Sequence, residues 1–293
     1  LMLKDITIEN YRLFEKFHLE GMTQINLLVG TNNSGKSSLL EAIYLLVNSE
    51  NSIALSEVLS KRFIASSRIH GRSEFTDLVD SFKLSDIFGN YDENQRILIS
   101  SQQEDPISLE YVYKSSRKNR QYNGNPEVDL KYIGKQKISH SFNLEKLLSP
   151  WYKEKNWSKT MDTNKHFVTP DRLDQSTVTR LWEQIVLTPK EEMVLDSLHI
   201  LEPKLEKMAF TSFNSLEMSV RLKIKGRPNP IPLGSMGDGI YRILALVISL
   251  VSCENGVLLV DEIDTGLHYT ALTKMWRLVI ETAKKLNVQV FAT

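Results

Sequence analysis

The feature that most constrains the fold is the run Gly30-Thr31-Asn32-Asn33-Ser34-Gly35-Lys36-Ser37, set between an apolar segment and a helix-patterned one. It satisfies G-x-x-x-x-G-K-[ST]. The preceding QINLLV (24–29) reads as a buried strand, and Leu39, Leu40, Ile43, Leu46 and Val47 repeat at helical spacing, so a helix over 36–47 lays one face on a sheet. Strand, glycine loop and helix together predict an α/β layer. Glycines let backbone amides curl toward phosphate oxygens, the helix N-terminus adds partial positive charge, Lys36 reaches the β- and γ-phosphates, and Ser37 offers its hydroxyl to Mg²⁺. Asn32, Asn33, Ser34, Gly35 and Ser38 complete the expected phosphate contacts of an ATP site.

A second feature fits the first. Gly256-Val257-Leu258-Leu259-Val260-Asp261-Glu262 is an apolar run ending in two carboxylates, the form of a buried parallel strand whose carboxyl end reaches a ligand. Alone it reads as a strand entering a polar loop. Beside the glycine loop, Asp261 is expected in the Mg²⁺ shell and Glu262 to orient or deprotonate the attacking water, with Lys36 completing the hydrolytic set. The third feature, Leu233-Gly234-Ser235-Met236-Gly237-Asp238-Gly239, precedes a helix apolar through Ile243, Leu244, Leu246, Val247 and Leu250. Free amides at a helix start make another anion site, and one subunit does not need two for a single γ-phosphate. The economical reading assigns this one to a second subunit's ATP.

Elsewhere the pattern is plainer. Residues 3–9 read as a strand, RILISS (96–101) and ISLEYVYK (107–114) as strands of a partly exposed region, and SSRKNRQYNGNP (115–126) as a loop. Thr188, Pro189 and Glu191 mark a helix start, with Glu191 able to return a capping bond. Strand-like pieces at 208–212 and 217–226, a helix over 238–252, a buried strand at 256–260, a helix over 269–286 and a buried VQVFAT follow. Between Lys114 and Lys159 basic residues alternate with Tyr122, Tyr132, Trp151 and Trp157; Glu127, Asp129 and Glu154 dilute the charge. That segment reads as solvated strand and loop, with a nucleic-acid track as the alternative.

Composition excludes several classes. Lysine plus arginine equals aspartate plus glutamate, 36 against 36, so any basic surface is local. No apolar run approaches the roughly 18 residues of a membrane span. The single Cys253 has apolar neighbours and reads as a core thiol, which fits a reducing, cytoplasmic setting. The chain opens with Leu1 before Met2 and stops after Phe291-Ala292-Thr293 inside strand-like sequence, so a C-terminally truncated piece of a longer chain is expected.

These pieces, with the opening ITIENYRLFEKFHLEG, the loop at 30–37, SMGDG at 235–239, and Asp261 and Glu262 leading into Ile263-Asp264-Thr265-Gly266-Leu267-His268, resemble the ATPase heads of the ABC superfamily, in the RecF, SMC and OLD-like branch with its small bacterial AAA-type members. The resemblance covers both ends well and the middle poorly. It implies an α/β P-loop NTPase of ABC type, a single domain over 1–293, with a mixed-sheet lobe around the Walker A loop (1–165) and a helical, signature-bearing lobe (166–293). It further implies two heads closing face to face around two ATPs, Ser235 and Gly237 touching the partner's γ-phosphate, Asp264 coupling the sites, and Arg12 beside the nucleotide. The family's Mg²⁺-sensing glutamine has no clear match; Thr169 and Gln175 stand nearest its place. Its switch histidine would follow Thr293, and without it hydrolysis would be weak. His268 is equally a cap or a nucleotide contact.

The expected function is an ATP-hydrolysing switch that dimerises through its ATP sites and drives an effector, by resemblance a nuclease in defence against phage. A RecF-like DNA-repair clamp is the alternative, and nucleic acid is a possible partner in either case. A small-molecule kinase lacks any convergent acceptor pocket.

Overall fold

The computed structural model describes residues 2–49, 54, 57–58, 96–102, 107–114, 127–133, 137–143, 164–169, 175–200, 202–214, 217–236 and 238–293. For 96, 107–114, 127–133, 137–143, 175–177, 212–214, 217–218 and 238 it describes the backbone alone. The basic and aromatic side chains between 114 and 159 lie outside the described residues. The chain divides into two compact units, one of Leu1–Met2, Gln24–Leu28 and Asn164–Thr293, the other of Leu3–Thr23 and Val29–Thr163.

The second of these units is built on an antiparallel sheet. β1 (Asp5–Tyr11) and β2 (Phe14–Glu20) form a hairpin, and β4 (Arg96–Ser101), β5 (Ile107–Lys114), β6 (Glu127–Ile133) and β7 (Lys137–Asn143) continue it in the order β2-β1-β4-β5-β6-β7. Alternation places Ile6, Ile8, Ile97 and Ile99 in the core, with Ile8 directly opposite Ile99. Helix α1 (Lys36–Val47) packs against β1, β4 and β5. It buries more than the single face its spacing predicts: every residue from Ser38 to Val47 is buried, Glu41 included. The helix is apolar nearly all round, and such a helix belongs inside.

The other unit carries a parallel sheet in the order β3-β13-β12-β8, from β3 (Ile25–Leu27), β8 (Lys165–Val168), β12 (Val257–Val260) and β13 (Gln289–Ala292). β12 and β13 are buried throughout, as their apolar runs predict. β3 is not. Among the described residues it pairs only with β13, and Leu27 is 53% exposed, because burial of a parallel strand depends on its place in the sheet and this one lies at an edge. Gly256 directly precedes β12 where a Cβ would fall 1.8 Å from the Asn164 carbonyl oxygen, so no other residue fits there.

Strands β9 (Leu205–Asn214), β10 (Glu217–Ile224) and β11 (Ile231–Pro232) form a small antiparallel sheet. Helices α2 (Gln175–Ile185), α3 (Pro189–Leu198) and α5 (Tyr269–Leu286) pack around or beside α4 (Asp238–Ser252), whose Ile243, Leu244, Val247, Ile248, Leu250 and Val251 are buried. At the start of α3 the Thr188 hydroxyl accepts from Lys190 N–H, as expected of an N-cap. Glu191 returns its bond one residue earlier than expected, to Leu187 N–H at 2.8 Å, because Thr188 N–H is already held by the Ile185 carbonyl at the end of α2. Cys253 is fully buried and donates to the Val257 carbonyl; burial pushes its thiol pKa well up, which keeps it protonated and inert. No helix among the described residues is long and apolar enough to cross a membrane.

Candidate functional site

In the antiparallel unit the phosphate loop coils around its own lysine. Lys36 Nζ donates to the carbonyls of Gly30 at 2.9 Å and Thr31 at 2.8 Å, and Ser34 N–H reaches the Thr31 carbonyl. Gly35 is the N-cap of α1 with φ 92°, a left-handed conformation, and a Cβ there would meet the Phe14 ring at 2.9 Å. No side chain among the described residues caps this helix, which leaves its first-turn amides open to an anion in the loop. Thr31, Asn32, Asn33 and Ser34 are exposed, while Lys36 and Ser37 are half-buried. A Cβ on Gly30 would press on Ser34 Oγ at 2.8 Å, a cradle drawn tight enough to favour glycine. This arrangement fits a phosphate group.

Arg12 lies in the turn between β1 and β2, at φ 54°. Its side chain is 8% exposed, and Nε sits 2.8 Å from Glu41 Oε2, a charge contact rather than an aligned hydrogen bond. Tyr11 donates to the same carboxylate at 3.1 Å, and the guanidinium stands over the Tyr11 ring. Glu41 lies in α1, one turn beyond Ser37, so Arg12 ties the hairpin turn to the helix that the phosphate loop opens. Glu41 is not assigned as its partner at the level of sequence.

In the parallel unit the two carboxylates stand at the carboxyl end of β12. Asp261 is 8% exposed; its N–H donates to the Val168 carbonyl, and its Oδ1 accepts from the Thr293 hydroxyl at 2.7 Å. Glu262 has φ 49°, a left-handed backbone that costs a non-glycine residue about 1–3 kcal/mol. Four bonds hold it there. Its N–H donates to Thr293 Oγ1 at 2.8 Å, its carbonyl accepts from Arg242 Nη2 at 2.9 Å and from Thr265 N–H at 3.1 Å, and its carboxylate accepts from the Thr265 hydroxyl at 3.0 Å. Burial lowers the Arg242 pKa from its usual range, and the negative charges of Glu262 and Asp264 oppose that shift.

The other expected residues are accounted for as follows. Ser235 sits in a single 3₁₀ turn (Leu233–Met236) ahead of α4, exposed, its hydroxyl donating to the Pro232 carbonyl at 2.7 Å. Gly237 lies outside the described residues. Asp264 is exposed, and its carbonyl accepts from Leu267 N–H in the turn that leads to His268. His268 is the N-cap of α5, with Nδ1 accepting from Thr270 N–H. Thr169 directly follows β8, and Gln175 opens α2 with its side chain outside the described residues. Ser37 and Asp261 are both oxygen donors, the chemistry that suits Mg²⁺, which keeps several waters and takes few protein ligands.

Arg242, Thr265 and Thr293 went unassigned at the level of sequence. The place of Thr293 follows from register alone: β12 and β13 run parallel with Val260 beside Ala292, so the next residues, Asp261 and Thr293, emerge together.

A phosphate loop opening a buried helix and an acidic pair ending a central parallel strand are the marks of an α/β P-loop ATPase. The chain belongs to the AAA_21 family, described as "AAA domain, putative AbiEii toxin, Type IV TA system", which matches residues 25–293. An "ATP/GTP phosphatase" of Helicobacter pylori (strain ATCC 700392 / 26695) is 23% identical over 322 residues, covering 100% of this chain and 85% of that protein. "DNA replication and repair protein RecF" of Oenococcus oeni (strain ATCC BAA-331 / PSU-1) is 24% identical over 249 residues, 77% of this chain and 61% of its own length. Among solved structures, the SMC head domain from Thermotoga maritima aligns with a TM-score of 0.48 at 13% identity, covering 100% of this chain and 89% of that one.

Proposed function

We propose that the chain is a cytoplasmic ATPase head, one domain over 1–293, that binds Mg·ATP, closes against a second copy around two nucleotides, and by hydrolysis switches an effector. The observation that carries the reading is the phosphate loop wound around Lys36 at the uncapped start of α1. Gly30, Asn32, Asn33, Ser34, Gly35 and Ser38 hold phosphate oxygens, Lys36 neutralises the terminal phosphates, and Ser37 and Asp261 hold the metal. Mg²⁺, when bound, draws charge from the β- and γ-phosphate oxygens. Glu262 orients the attacking water and accepts its proton through Oε1, while Oε2 keeps the Thr265 hydroxyl. Ser235 and Gly237 complete the partner's site, Asp264 couples the two, and Arg12 supports the nucleotide side of the loop. A nuclease effector in phage defence is the proposed output; the family's description as including a toxin of a toxin–antitoxin system supports an output that acts on the cell or its invader. The similarity to RecF over 77% of the chain favours a second reading, a DNA clamp in which hydrolysis times release.

The test is the solution mass of Glu262→Gln, with and without Mg·ATP, by size exclusion with light scattering. Doubling of the mass with ATP, abolished by Ser235→Arg, is the expected result. An unchanged mass despite measured ATP binding would remove the two-headed switch. DNA affinity that falls steeply with salt would favour the clamp instead.

A further inference from the structure

Glu262 is the proposed base, yet its backbone occupies a conformation that a glutamate does not adopt unaided. The residue that fixes it is Thr293. One hydroxyl does two jobs at once: Oγ1–H donates to Asp261 Oδ1 at 2.7 Å, and the same oxygen accepts Glu262 N–H at 2.8 Å. The main chain of Thr293 brackets the same turn, its N–H donating to the Val260 carbonyl and its carbonyl accepting from Ile263 N–H, each at 3.0 Å. Thr293 thus touches four consecutive residues, Val260 to Ile263.

We infer that Thr293 is a positioning residue for hydrolysis, a clamp that sets the Asp261 carboxylate and the Glu262 backbone in one fixed relation. The inference rests on the hydrolytic roles proposed for Asp261 and Glu262. A hydroxyl in this place has its proton committed to the carboxylate and a lone pair to the amide, so the two bonds strengthen each other. The direction of the first bond also takes one lone pair of Oδ1 and leaves the other carboxylate oxygen for ligation. Valine has the shape of threonine without the hydroxyl, and serine has the hydroxyl without the methyl. The pair separates hydrogen bonding from packing.

Thr293→Val is therefore expected to lower kcat for ATP hydrolysis about tenfold or more, with KM for ATP changed far less, because the bonds serve the reacting groups and not the phosphate loop. It should also weaken the dependence of nucleotide binding on Mg²⁺, read by titrating a fluorescent ATP analogue with and without the metal. Without nucleotide, hydrogen exchange at the Glu262 amide should quicken. Thr293→Ser should keep all three readouts close to wild type, and thermal melting of both variants verifies that each is folded. Unchanged kcat and unchanged exchange in Thr293→Val would overturn the clamp, as would a serine variant as impaired as the valine one. If the wild type itself turned over no ATP while the exchange difference held, the proposed ATPase would fall, and the exchange result would still decide the clamp.

Discussion

The phosphate loop is tied by its own residues, Lys36 reaching back five and six positions to Thr31 and Gly30, whereas the acidic turn after β12 is tied from 20 and 31 positions away, by Arg242 and Thr293. The first arrangement is a local chain shape. The second exists only once α4 and β13 are in place beside β12. A local shape survives loss of distant packing, while a turn that takes half its bonds from distant partners loses function as soon as one of them shifts. Removing Lys36 should therefore break chemistry by taking away a charge, and removing a distant partner of the acidic turn should lower turnover by freeing the position of Glu262.

Lys36→Ala gives the largest expected effect. Loss of the one cation in the loop should lower ATP turnover by about 10²–10³-fold, the usual cost of deleting a preorganised charge donor, with ATP binding weakened as well. The half-buried side chain donates to two exposed loop carbonyls among the described residues, so the urea midpoint should hardly move. A variant that bound and hydrolysed ATP normally would remove the loop from the site.

Glu41→Gln comes next and shows that the loop is not wholly self-supporting. It leaves the Arg12 guanidinium nearly buried opposite a neutral amide, a loss of about 3 kcal/mol if the pair behaves as other buried ones do. Urea unfolding reads it directly. A loss well under 1 kcal/mol would mean that water reaches Arg12, and that the arginine is available to a nucleotide after all.

How much of this was legible beforehand follows the same division. The loop at 30–37, the helix after it and the strand into Asp261 were readable because their chemistry is contiguous and each residue type has a fixed job. The start of α4 was readable from glycine and apolar spacing. The edge position of β3 was not, since QINLLV carries the same apolar signature in the middle of a sheet or at its rim, and only strand order decides between them. Glu191 was assigned to the right helix start and the wrong amide, because the end of α2 had already taken Thr188 N–H. Thr293 passed as a strand end for the same reason: its role depends on register with β12, which no run within either strand encodes.

Arg242→Lys gives the smallest effect and sharpens the comparison most. Lysine keeps the positive charge near Glu262 and Asp264, which oppose the burial-driven fall in the Arg242 pKa, but it lacks the planar fork that places Nη2 on the Glu262 carbonyl. If the turn is held by charge, the variant should hydrolyse ATP as the wild type does. If it is held by that bond, kcat should fall roughly fivefold, equivalent to about 1 kcal/mol, while ATP affinity stays the same. The bond is the expected answer, because Glu262 presents to Arg242 its backbone carbonyl and gives its carboxylate to Thr265. Arg242 also belongs to α4, the helix that the Ser235 turn introduces.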